Sequence, residues 1–357
     1  MPNNKLNILV IAKLSDKKLL SKISPIANLN DVNNIFLVRK TPLICERVRS
    51  YPTPKLFLAS GLISEIYRLV TATHLLFTEK IDLIVGIHYM PHGFFSGILG
   101  KIFKKKYIVL LTEDPRLYSK NTIFSFIAKG AYMIGVRGSK SKKELTTHHV
   151  NESKIFIAPN LFDFSLSEKY SPKLADKREY HLATIGNLVR EKRLDIIIKS
   201  AGLLKKHITN IKLLVLGEGP LKKELMDLTK TLNLTDNVVF AGQVTDIYRF
   251  LNQSKVFVLA SETEGLPMAV IEALSTGLPC VLRNVGDLTD VATHQYNALI
   301  VNSQNPQEYA DSCYRLLTDH TLYKKLAENA SAIKKSKQYE YSSEYLLSLW
   351  RDIVEGL

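Results

Sequence analysis

The sequence predicts an α/β protein built from two doubly wound parallel sheets, and three observations support this fold class. Short apolar runs rich in β-branched residues recur along the whole chain, and stretches with helical spacing separate most of them. Such alternation is typical of βαβ units. A polar stretch at residues 165–180 divides the runs into two series. A length of 357 residues is also too great for one ordinary core, so we expect two domains.

Each series contains six predicted strands. The first series covers residues 6–12, 34–38, 82–87, 107–111, 132–136 and 155–159. The second series covers residues 181–186, 211–217, 237–242, 255–261, 279–283 and 297–301. Helical spacing is clear at 194–204 and 221–232, and residues 341–357 predict an amphipathic helix. We therefore place two Rossmann-like domains at residues 1–165 and 166–340, followed by a C-terminal helix at 341–357.

Charge is distributed unevenly between the two halves of the chain. The net charge is +14, and residues 1–163 hold 24 Lys+Arg against 11 Asp+Glu, which gives +13. The remaining residues hold 24 against 23, which gives +1. A basic half favours contact with anionic lipid, a phosphorylated substrate or nucleic acid, although a generally basic composition would give the same sum. The lysines most suited to an anionic membrane are Lys101, Lys104, Lys105 and Lys106.

The remaining composition indicates a cytoplasmic protein. The three cysteines, Cys45, Cys280 and Cys313, are odd in number and far apart, which argues against a disulfide framework or a metal cluster. The polar N-terminus is not that of a signal peptide, and no apolar run is long enough for a membrane span. We expect a cytoplasmic location with peripheral contact at the inner face of the membrane.

The most informative stretch is EGLPMAVIE, which places Glu264 and Glu272 eight positions apart. A strand-like run precedes it, and Pro267 followed by apolar residues predicts a helix over 268–275. Glu264 would then lie in the loop before the helix and Glu272 inside it. Amides at a helix N-terminus attract anions, so a diphosphate would fit between the two carboxylates. Eight residues span about 12 Å along a helix, which suits the two ends of a long ligand better than a glycosidase pair roughly 5–9.5 Å apart.

The stretch SETEGLPMAVIEALSTGLPCV resembles the E-x7-E signature of glycosyltransferase family 4, which comprises retaining GT-B enzymes of the "glycosyl transferases group 1" type. Stretches at 185–201, 213–225, 237–244 and 284–292 are similar to other segments of the family and follow the same order. The resemblance implies a GT-B fold, in which two Rossmann-like domains face each other across a cleft and the last helix crosses back to the first domain. It also implies an N-terminal acceptor domain and a C-terminal domain that binds a nucleotide-diphospho-sugar donor.

The resemblance implies roles for individual residues on the donor side. Glu264 would contact the transferred sugar, Glu272 the ribose hydroxyls, and Lys192 the diphosphate. Because the leaving diphosphate gains negative charge as the glycosidic bond breaks, an ammonium and helix amides would stabilise it without a metal. We therefore expect no cofactor and no metal ion. The predicted donor-side set is Gly186, Asn187, Arg190, Lys192, Gly242, Gln243, Glu264, Gly265, Leu266, Met268 and Glu272.

The sequence departs from the family pattern at several positions. Asn187 stands where the family has an arginine, and we choose Arg190 over Arg193 as its replacement. Gly286-Asp287 stands where the family has a glycine pair. Thr112-Glu113-Asp114 stands where many members have a histidine after a strand.

Candidates for the acceptor side come from the first half of the chain. Two histidines, His88 and His92, follow the strand-like run at 82–87, and Arg137 ends another run before a capping-box pattern at Ser141 and Glu144. We count His92 with Glu264 and Lys192 as a catalytic candidate. The acceptor-side candidates are His88, His92, Glu113, Asp114 and Arg137.

The leading functional prediction is a retaining, metal-independent glycosyltransferase that moves a sugar to a hydroxyl of a glycan or lipid-linked acceptor in surface polysaccharide or glycoconjugate biosynthesis. One alternative is a GT-B nucleotide-sugar epimerase, which would turn over the donor without an acceptor. Another is a basic membrane- or nucleic-acid-binding protein with a vestigial sugar-nucleotide site. Nucleic acid is not expected as a partner of the transferase. Replacing Glu264 by alanine is expected to leave nucleotide binding nearly intact, because its partner would be the sugar.

Overall fold

The computed structural model describes residues 5–170 and 177–357, so residues 171–176 of the predicted polar stretch lie outside the described residues. The chain divides into two compact units, which we call unit 1 (Met1–Phe162 with Tyr339–Leu357) and unit 2 (Asp163–Gln338). Each unit is built on a parallel sheet of its own, which confirms the predicted fold class. Within the described ranges, no helix combines the length and apolar character needed to cross a bilayer.

From residue 5 onward, where the structure describes it, unit 1 has seven strands, all paired in parallel. They are β1 (Leu6–Ile11), β2 (Val32–Arg39), β3 (Val48–Pro52), β4 (Leu83–Ile87), β5 (Lys106–Leu110), β6 (Met133–Val136) and β7 (Ile155–Ile157). Their order is β3-β2-β1-β4-β5-β6-β7. The order reverses between β1 and β4, and ligands of open α/β sheets bind outside the carboxyl ends of the strands at such a switch point.

The helices of unit 1 lie on both faces of this sheet. They are α1 (Asp16–Ala27), α2 (Gly61–Thr78), α3 (Phe94–Ile102), α4 (Thr122–Gly130), α5 (Ser139–Thr147) and the last helix of the chain, α14 (Ser343–Glu355). Side chains of α1 and α14, including Trp350, share one core with the sheet. Side chains of α2, α3, α4 and α5 share the core on the other face. The amphipathic helix predicted at the C-terminus is confirmed, because α14 buries Leu346, Trp350 and Ile353 on one side.

In its described residues, 163–170 and 177–338, unit 2 has six parallel strands and eight helices. The strands are β8 (Tyr180–Ile185), β9 (Leu213–Leu216), β10 (Val238–Gly242), β11 (Ser254–Leu259), β12 (Cys280–Arg283) and β13 (Ala298–Val301). The helices are α6 (Ser165–Glu168), α7 (Leu194–Lys205), α8 (Lys222–Thr231), α9 (Ile247–Leu251), α10 (Met268–Ser275), α11 (Pro306–Thr318), α12 (His320–Ser331) and α13 (Ile333–Lys337). The strand order is β10-β9-β8-β11-β12-β13, so the switch point lies between β8 and β11.

All twelve predicted strands are present, with ends within two residues of the predicted bounds. The strand β3 was not predicted, because its sequence VRSYP has no apolar run and ends in a proline. It lies at the edge of the sheet, where such a composition is tolerated. The capping box expected at Ser141 is wrong: α5 begins at Ser139 with Gly138 as its N-cap, so Ser141 lies within the helix.

Candidate functional site

The loops that follow β8 and β11 meet at the switch point of unit 2. The loop after β8 contains a short 3-10 turn, Arg190–Lys192, and the loop after β11 leads into α10. The two loops are joined by a hydrogen bond of 2.7 Å from the amide of Glu262 to the carbonyl of Glu191. They bring Lys192 and Glu264, which are 72 positions apart in sequence, into direct contact.

Lys192 and Glu264 form an ion pair. The Lys192 ammonium donates to Oε1 of Glu264 at 2.5 Å. The two side chains keep 27% and 12% of their surface exposed, so a ligand can still reach the pair. Lys192 and Glu264, both predicted to contact the donor, therefore hold each other.

The helix α10 begins next to this pair. Its N-cap is Pro267 and its first residue is Met268, as predicted, so Glu264 lies in the loop and Glu272 inside the helix. The first amides of a helix have no partner within it and face an incoming anion. Glu272 lies close enough to the buried Tyr248 for its charge to be felt there: burial raises the pKa of the Tyr248 phenol, and Glu272 raises it further.

A tight turn after β12 supports the loop that carries Glu264. The amide of Asp287 donates to the carbonyl of Gly265 at 2.8 Å. Gly286 has φ +52°, and a Cβ atom on it would lie 2.1 Å from the carbonyl oxygen of Gly265. Only glycine can occupy this position without moving the loop. The family pattern has two glycines here. This chain keeps the first, Gly286, which the contact requires, and has Asp287 in place of the second.

A cavity of about 240 Å³ opens at the carboxyl ends of β8, β9 and β10. It contains three predicted donor-side residues, Gly186, Asn187 and Gln243. Gly217 in its wall has φ +135°, and a Cβ atom there would lie 1.9 Å from the carbonyl oxygen of Gly186. The loop after β8, which carries Gly186, and the loop after β9, which carries Gly217, can approach this closely only because position 217 is a glycine. The cavity is also lined by Ile185, Leu216, Glu218, Val244 and Ile247.

The two arginines considered as replacements at Asn187 have different surroundings. Arg193, in the left-handed region at φ +48°, donates through Nε to Asp195 at 3.0 Å and also contacts Gln304. Its hydrogen bond with Asp195 raises the pKa of its guanidinium. Arg190 is exposed, and both arginines line a second cavity of about 470 Å³ beside α7 and α8 rather than the cavity of Asn187.

His88 lies at the switch point of unit 1. Its φ of +82° turns the chain sharply after β4. Its Nδ1 lies 3.0 Å from Oε1 of Glu113 and also contacts the Thr112 hydroxyl, while its Nε2 lies 3.2 Å from the carbonyl of Lys13 after β1. Burial opposes ionisation of Glu113, but the hydrogen bond and charge of His88 together with backbone hydrogen bonds outweigh it and lower the pKa of this carboxyl. The His88 side chain remains 20% exposed.

His92 has a different environment, because its side chain is fully buried. Its Nδ1 donates to the carbonyl of Ile87 at 3.0 Å, and its Nε2 lies 3.2 Å from Oε2 of Glu65. Burial opposes ionisation of Glu65, but the hydrogen bonds from His92 and from Arg68 outweigh it and lower the pKa of Glu65 to about 2. His92 therefore has no exposed nitrogen through which the predicted catalytic role could act in this structure, whereas His88 does have an exposed ring.

The other acceptor-side candidates have structural contacts of their own. Asp114 is buried and accepts from the amide of Arg116 at 3.0 Å, so it caps a short 3-10 turn. Arg137 is half-buried at the end of β6. It lies near Lys22 in α1, a residue that sequence reasoning did not select. Burial lowers the pKa of Lys22, and the charge of Arg137 lowers it further.

Glu65 is the main residue of this region that the sequence analysis missed. It lies on α2 and contacts His92 and Arg68, with Lys13 at 3.9 Å. The available signal was a Glu–Arg pair three positions apart within an otherwise uncharged helical stretch. Such a pair is usually solvent-exposed, and only the fold reveals that this one is buried.

Comparison with known proteins identifies a matching family model and similar proteins. The family model described as "Glycosyl transferases group 1" matches residues 167–332, which is nearly all of unit 2. An N-acetyl-alpha-D-glucosaminyl L-malate synthase of Bacillus anthracis is 24% identical over 331 residues, covering 86% of this chain and 80% of the relative. A UDP-Gal:alpha-D-GlcNAc-diphosphoundecaprenol alpha-1,3-galactosyltransferase of Escherichia coli is 25% identical over 313 residues, covering 79% of this chain and 78% of the relative.

Solved structures show the same fold over the full chain. HepE of Anabaena, crystallised with UDP and glucose, has a TM-score of 0.77 at 16% identity, covering 99% of this chain and all of that one. A sucrose-phosphate synthase of Thermosynechococcus elongatus has a TM-score of 0.75 with the same coverage. The fold of this chain is that of GT-B glycosyltransferases.

Proposed function

We propose that this protein is a retaining glycosyltransferase that transfers a sugar from a nucleotide-diphospho-sugar to a hydroxyl group of a glycan or lipid-linked acceptor. The observation that carries the proposal is the Lys192–Glu264 pair at the start of α10. It places a cation, a carboxylate and a helix N-terminus together at the switch point of unit 2. A nucleotide-diphospho-sugar needs these three groups in one place: the cation and amides for its diphosphate and the carboxylate for its sugar hydroxyls.

The cavity beside the Lys192–Glu264 pair suggests where the nucleoside part of the donor would bind. The space beside Gly186, Asn187 and Gln243 would take the nucleoside, with Glu272 accepting hydrogen bonds from the ribose hydroxyls. The diphosphate would then cross to Lys192 and α10. UDP and glucose are the ligands of the HepE structure, and UDP-galactose is the donor in the name of the E. coli relative, so UDP-sugars are the first donors to test.

The reaction that we propose needs no metal ion and no covalent nucleophile. As the glycosidic bond breaks, negative charge grows on the leaving diphosphate. Lys192 and the amides of Gly265, Leu266 and Met268 would stabilise it. The acceptor would attack from the face that the diphosphate leaves, and a phosphate oxygen would take the proton of the acceptor hydroxyl. The anomeric configuration of the sugar is then retained.

On the acceptor side we propose His88 and Glu113 in unit 1 as the groups that contact substrate, because His88 is partly exposed. We assign His92, held by Glu65 and the carbonyl of Ile87, as a positioning residue for the turn after β4. The E. coli relative uses a diphosphoundecaprenol-linked sugar as acceptor, according to its name. A lipid-linked acceptor in surface polysaccharide or glycoconjugate biosynthesis is accordingly our choice for this protein.

The proposal is tested with UDP-sugars and a set of diphosphate-lipid-linked monosaccharides. We expect release of UDP only when an acceptor is present, and an NMR spectrum of the first product that shows the anomeric configuration of the donor. An inverted product would refute retention. Conversion of the donor to an epimer without acceptor would favour the epimerase. Absence of thermal stabilisation by millimolar nucleoside diphosphates would favour a vestigial site.

A further inference from the structure

The helix α2 of unit 1 presents large apolar side chains to solvent. Leu62 is 72% exposed, Val70 is 59% exposed and Phe77 is 77% exposed, with Ile63 and Ile66 near one half. Positions 62, 66, 70 and 77 lie on one side of a helix. The stripe is about 22 Å long at 1.5 Å per residue.

The charged residues of α2 point the other way. The sequence of α2 contains only Glu65 and Arg68 as charged residues, and their side chains are 16% and 1% exposed. They pair with each other, and Glu65 also contacts the buried His92. The helix therefore differs from an ordinary surface helix: it buries Ala72, Leu75 and Leu76 in the core, but it also exposes apolar side chains and turns its two charged residues inward.

The apolar stripe continues onto the neighbouring helices. At the end of α2, the ring of Phe77 meets that of Phe103 edge-to-face at 4.9 Å, and Ile102 beside it is 67% exposed. Two exposed lysines lie beside Ile102: Lys101 in α3 and Lys104 in the turn that follows it, and the Lys101 ammonium lies 3.6 Å from the centre of the Phe126 ring. We call this surface the α2 face; it consists of Leu62, Ile63, Ile66, Val70, Phe77 and Ile102.

We propose that the α2 face is a docking surface for an anionic lipid bilayer, with α2 lying in the plane of the interface and its apolar side chains inserted. A helix whose exposed face is largely apolar, here interrupted by the exposed His74, and that has lysines nearby is suited to that environment. Charge complementarity favours lipid as the occupant, because residues 1–163 carry a net charge of +13. A second copy of the chain bound through the same face would bring like-charged lysines together, which disfavours self-association.

This surface differs from the lysine patch that the sequence predicts. Lys106 donates to the carbonyl of Leu357 at 2.8 Å and lies over the ring of Tyr132, and Lys105 is half-buried. Of the four lysines, Lys101 and Lys104 have exposed side chains and flank Ile102 of the α2 face in sequence. Charge would therefore bring the protein to the membrane, and the apolar residues would hold it there.

The experiment is co-sedimentation of the full chain with vesicles of phosphatidylcholine containing phosphatidylglycerol, across a salt series. We compare wild type with the triple variant Leu62→Gln, Ile66→Gln, Val70→Gln. A matched control, Met226→Gln with Tyr314→Gln, changes exposed helical residues of unit 2. Loss of three inserted side chains should weaken binding by about 100-fold or more, while the control binds as wild type does.

Insertion has a spectroscopic signature of its own. The chain has one tryptophan, Trp350, which is buried in the core of unit 1. A Phe77→Trp variant adds an indole on the α2 face, and we expect its emission to shift to the blue when vesicles are added. Wild type, with Trp350 alone, should show no shift. Circular dichroism of each variant establishes that it is folded.

Three outcomes would overturn the proposal. One is that the wild type stays in solution with anionic vesicles at low salt. Another is that the triple variant binds as tightly as the wild type. The last is that the protein does not bind vesicles but dimerises as its concentration rises, and that the triple variant does not dimerise. In that case a second copy of the chain, not lipid, would occupy the α2 face. Because vesicle binding requires neither donor nor acceptor, each of these results would leave the proposed transferase reaction standing.

Discussion

The ion pair between Lys192 and Glu264 leads to a prediction with an unusual sign: replacing Glu264 by glutamine should strengthen the binding of a nucleoside diphosphate while lowering sugar transfer. In the free protein the carboxylate of Glu264 holds the Lys192 ammonium at 2.5 Å. A diphosphate that binds at Lys192 must compete with that carboxylate. From the sequence alone we expected little change in nucleotide affinity on removing Glu264, and the ion pair alters that expectation.

The size of the effect follows from the partial burial of the pair. Fully exposed ion pairs contribute about 0–1 kcal/mol, and this pair, with side chains 27% and 12% exposed, lies beyond that range. Neutralising Glu264 also removes its repulsion of the diphosphate. Together these effects amount to about 1–2 kcal/mol, so the dissociation constant for the diphosphate should fall by about 5- to 30-fold. Turnover should fall by about 10- to 100-fold, because the sugar loses a charged hydrogen-bond acceptor.

Isothermal titration calorimetry with UDP, GDP and ADP measures the affinities, and UDP release in the presence of acceptor measures turnover. The matched control is Glu262→Gln, which removes one negative charge from the same loop. Glu262 is exposed and contacts the other loop through its backbone amide, so its replacement should change the affinity by less than about twofold. Equal or weaker diphosphate binding by Glu264→Gln would refute the argument, as would an equal gain in the control.

Three further predictions concern the same sites. Lys192→Ala and Glu272→Ala should each weaken diphosphate binding by about tenfold or more, since each loses a contact to a charged group; the same calorimetry measures this, and unchanged affinity in either would contradict its assignment. Turnover should persist in EDTA, and loss of activity that magnesium or manganese restores would refute a metal-independent reaction. Glu65→Gln should destabilise unit 1 by about 2 kcal/mol at pH 7, because His92 and Arg68 lose their shared carboxylate. The folded-state pKa of Glu65, about 2, lies below its usual value, so this stabilisation is full above about pH 5 and is lost as the pH falls towards 2. Urea unfolding followed by Trp350 fluorescence should therefore separate Glu65→Gln from wild type more at pH 7 than at pH 3.

The strands could be predicted from sequence because parallel strands buried on both faces consist of nearly continuous apolar residues. The strand β3 escaped because an edge strand needs no such run. The start of α10 was also predictable to within a residue, since proline is favoured at the beginning of a helix and Pro267 is the N-cap of α10. The strands and the start of α10 depend mainly on residues that are close in sequence, so local sequence patterns predict them.

The contacts within the candidate sites depend on residues far apart in sequence. The motif pointed to Lys192 and Glu264 separately, but nothing in either stretch indicated that they would pair across 72 positions. His88 and His92 look equivalent in the sequence, and only packing distinguishes the exposed ring of the first from the buried ring of the second. Glu65 was overlooked because its burial depends on which way α2 faces.

The orientation of α2 places Glu65, next to His92 and Arg68, on its inner side and the proposed docking surface on its outer side. A buried carboxylate is stable only when it is paired, and Glu65 has His92 and Arg68 as partners. That requirement explains why the two charged residues of α2 point inward. It does not explain the outward face, where charged or polar residues would serve the fold equally well, because exposed positions contribute little to stability. Leaving Leu62, Val70 and Phe77 exposed gains nothing in the free unit and favours aggregation. A bilayer that covers these side chains removes that disadvantage, and a lipid-linked acceptor in the same bilayer would then lie next to the unit that we propose binds it.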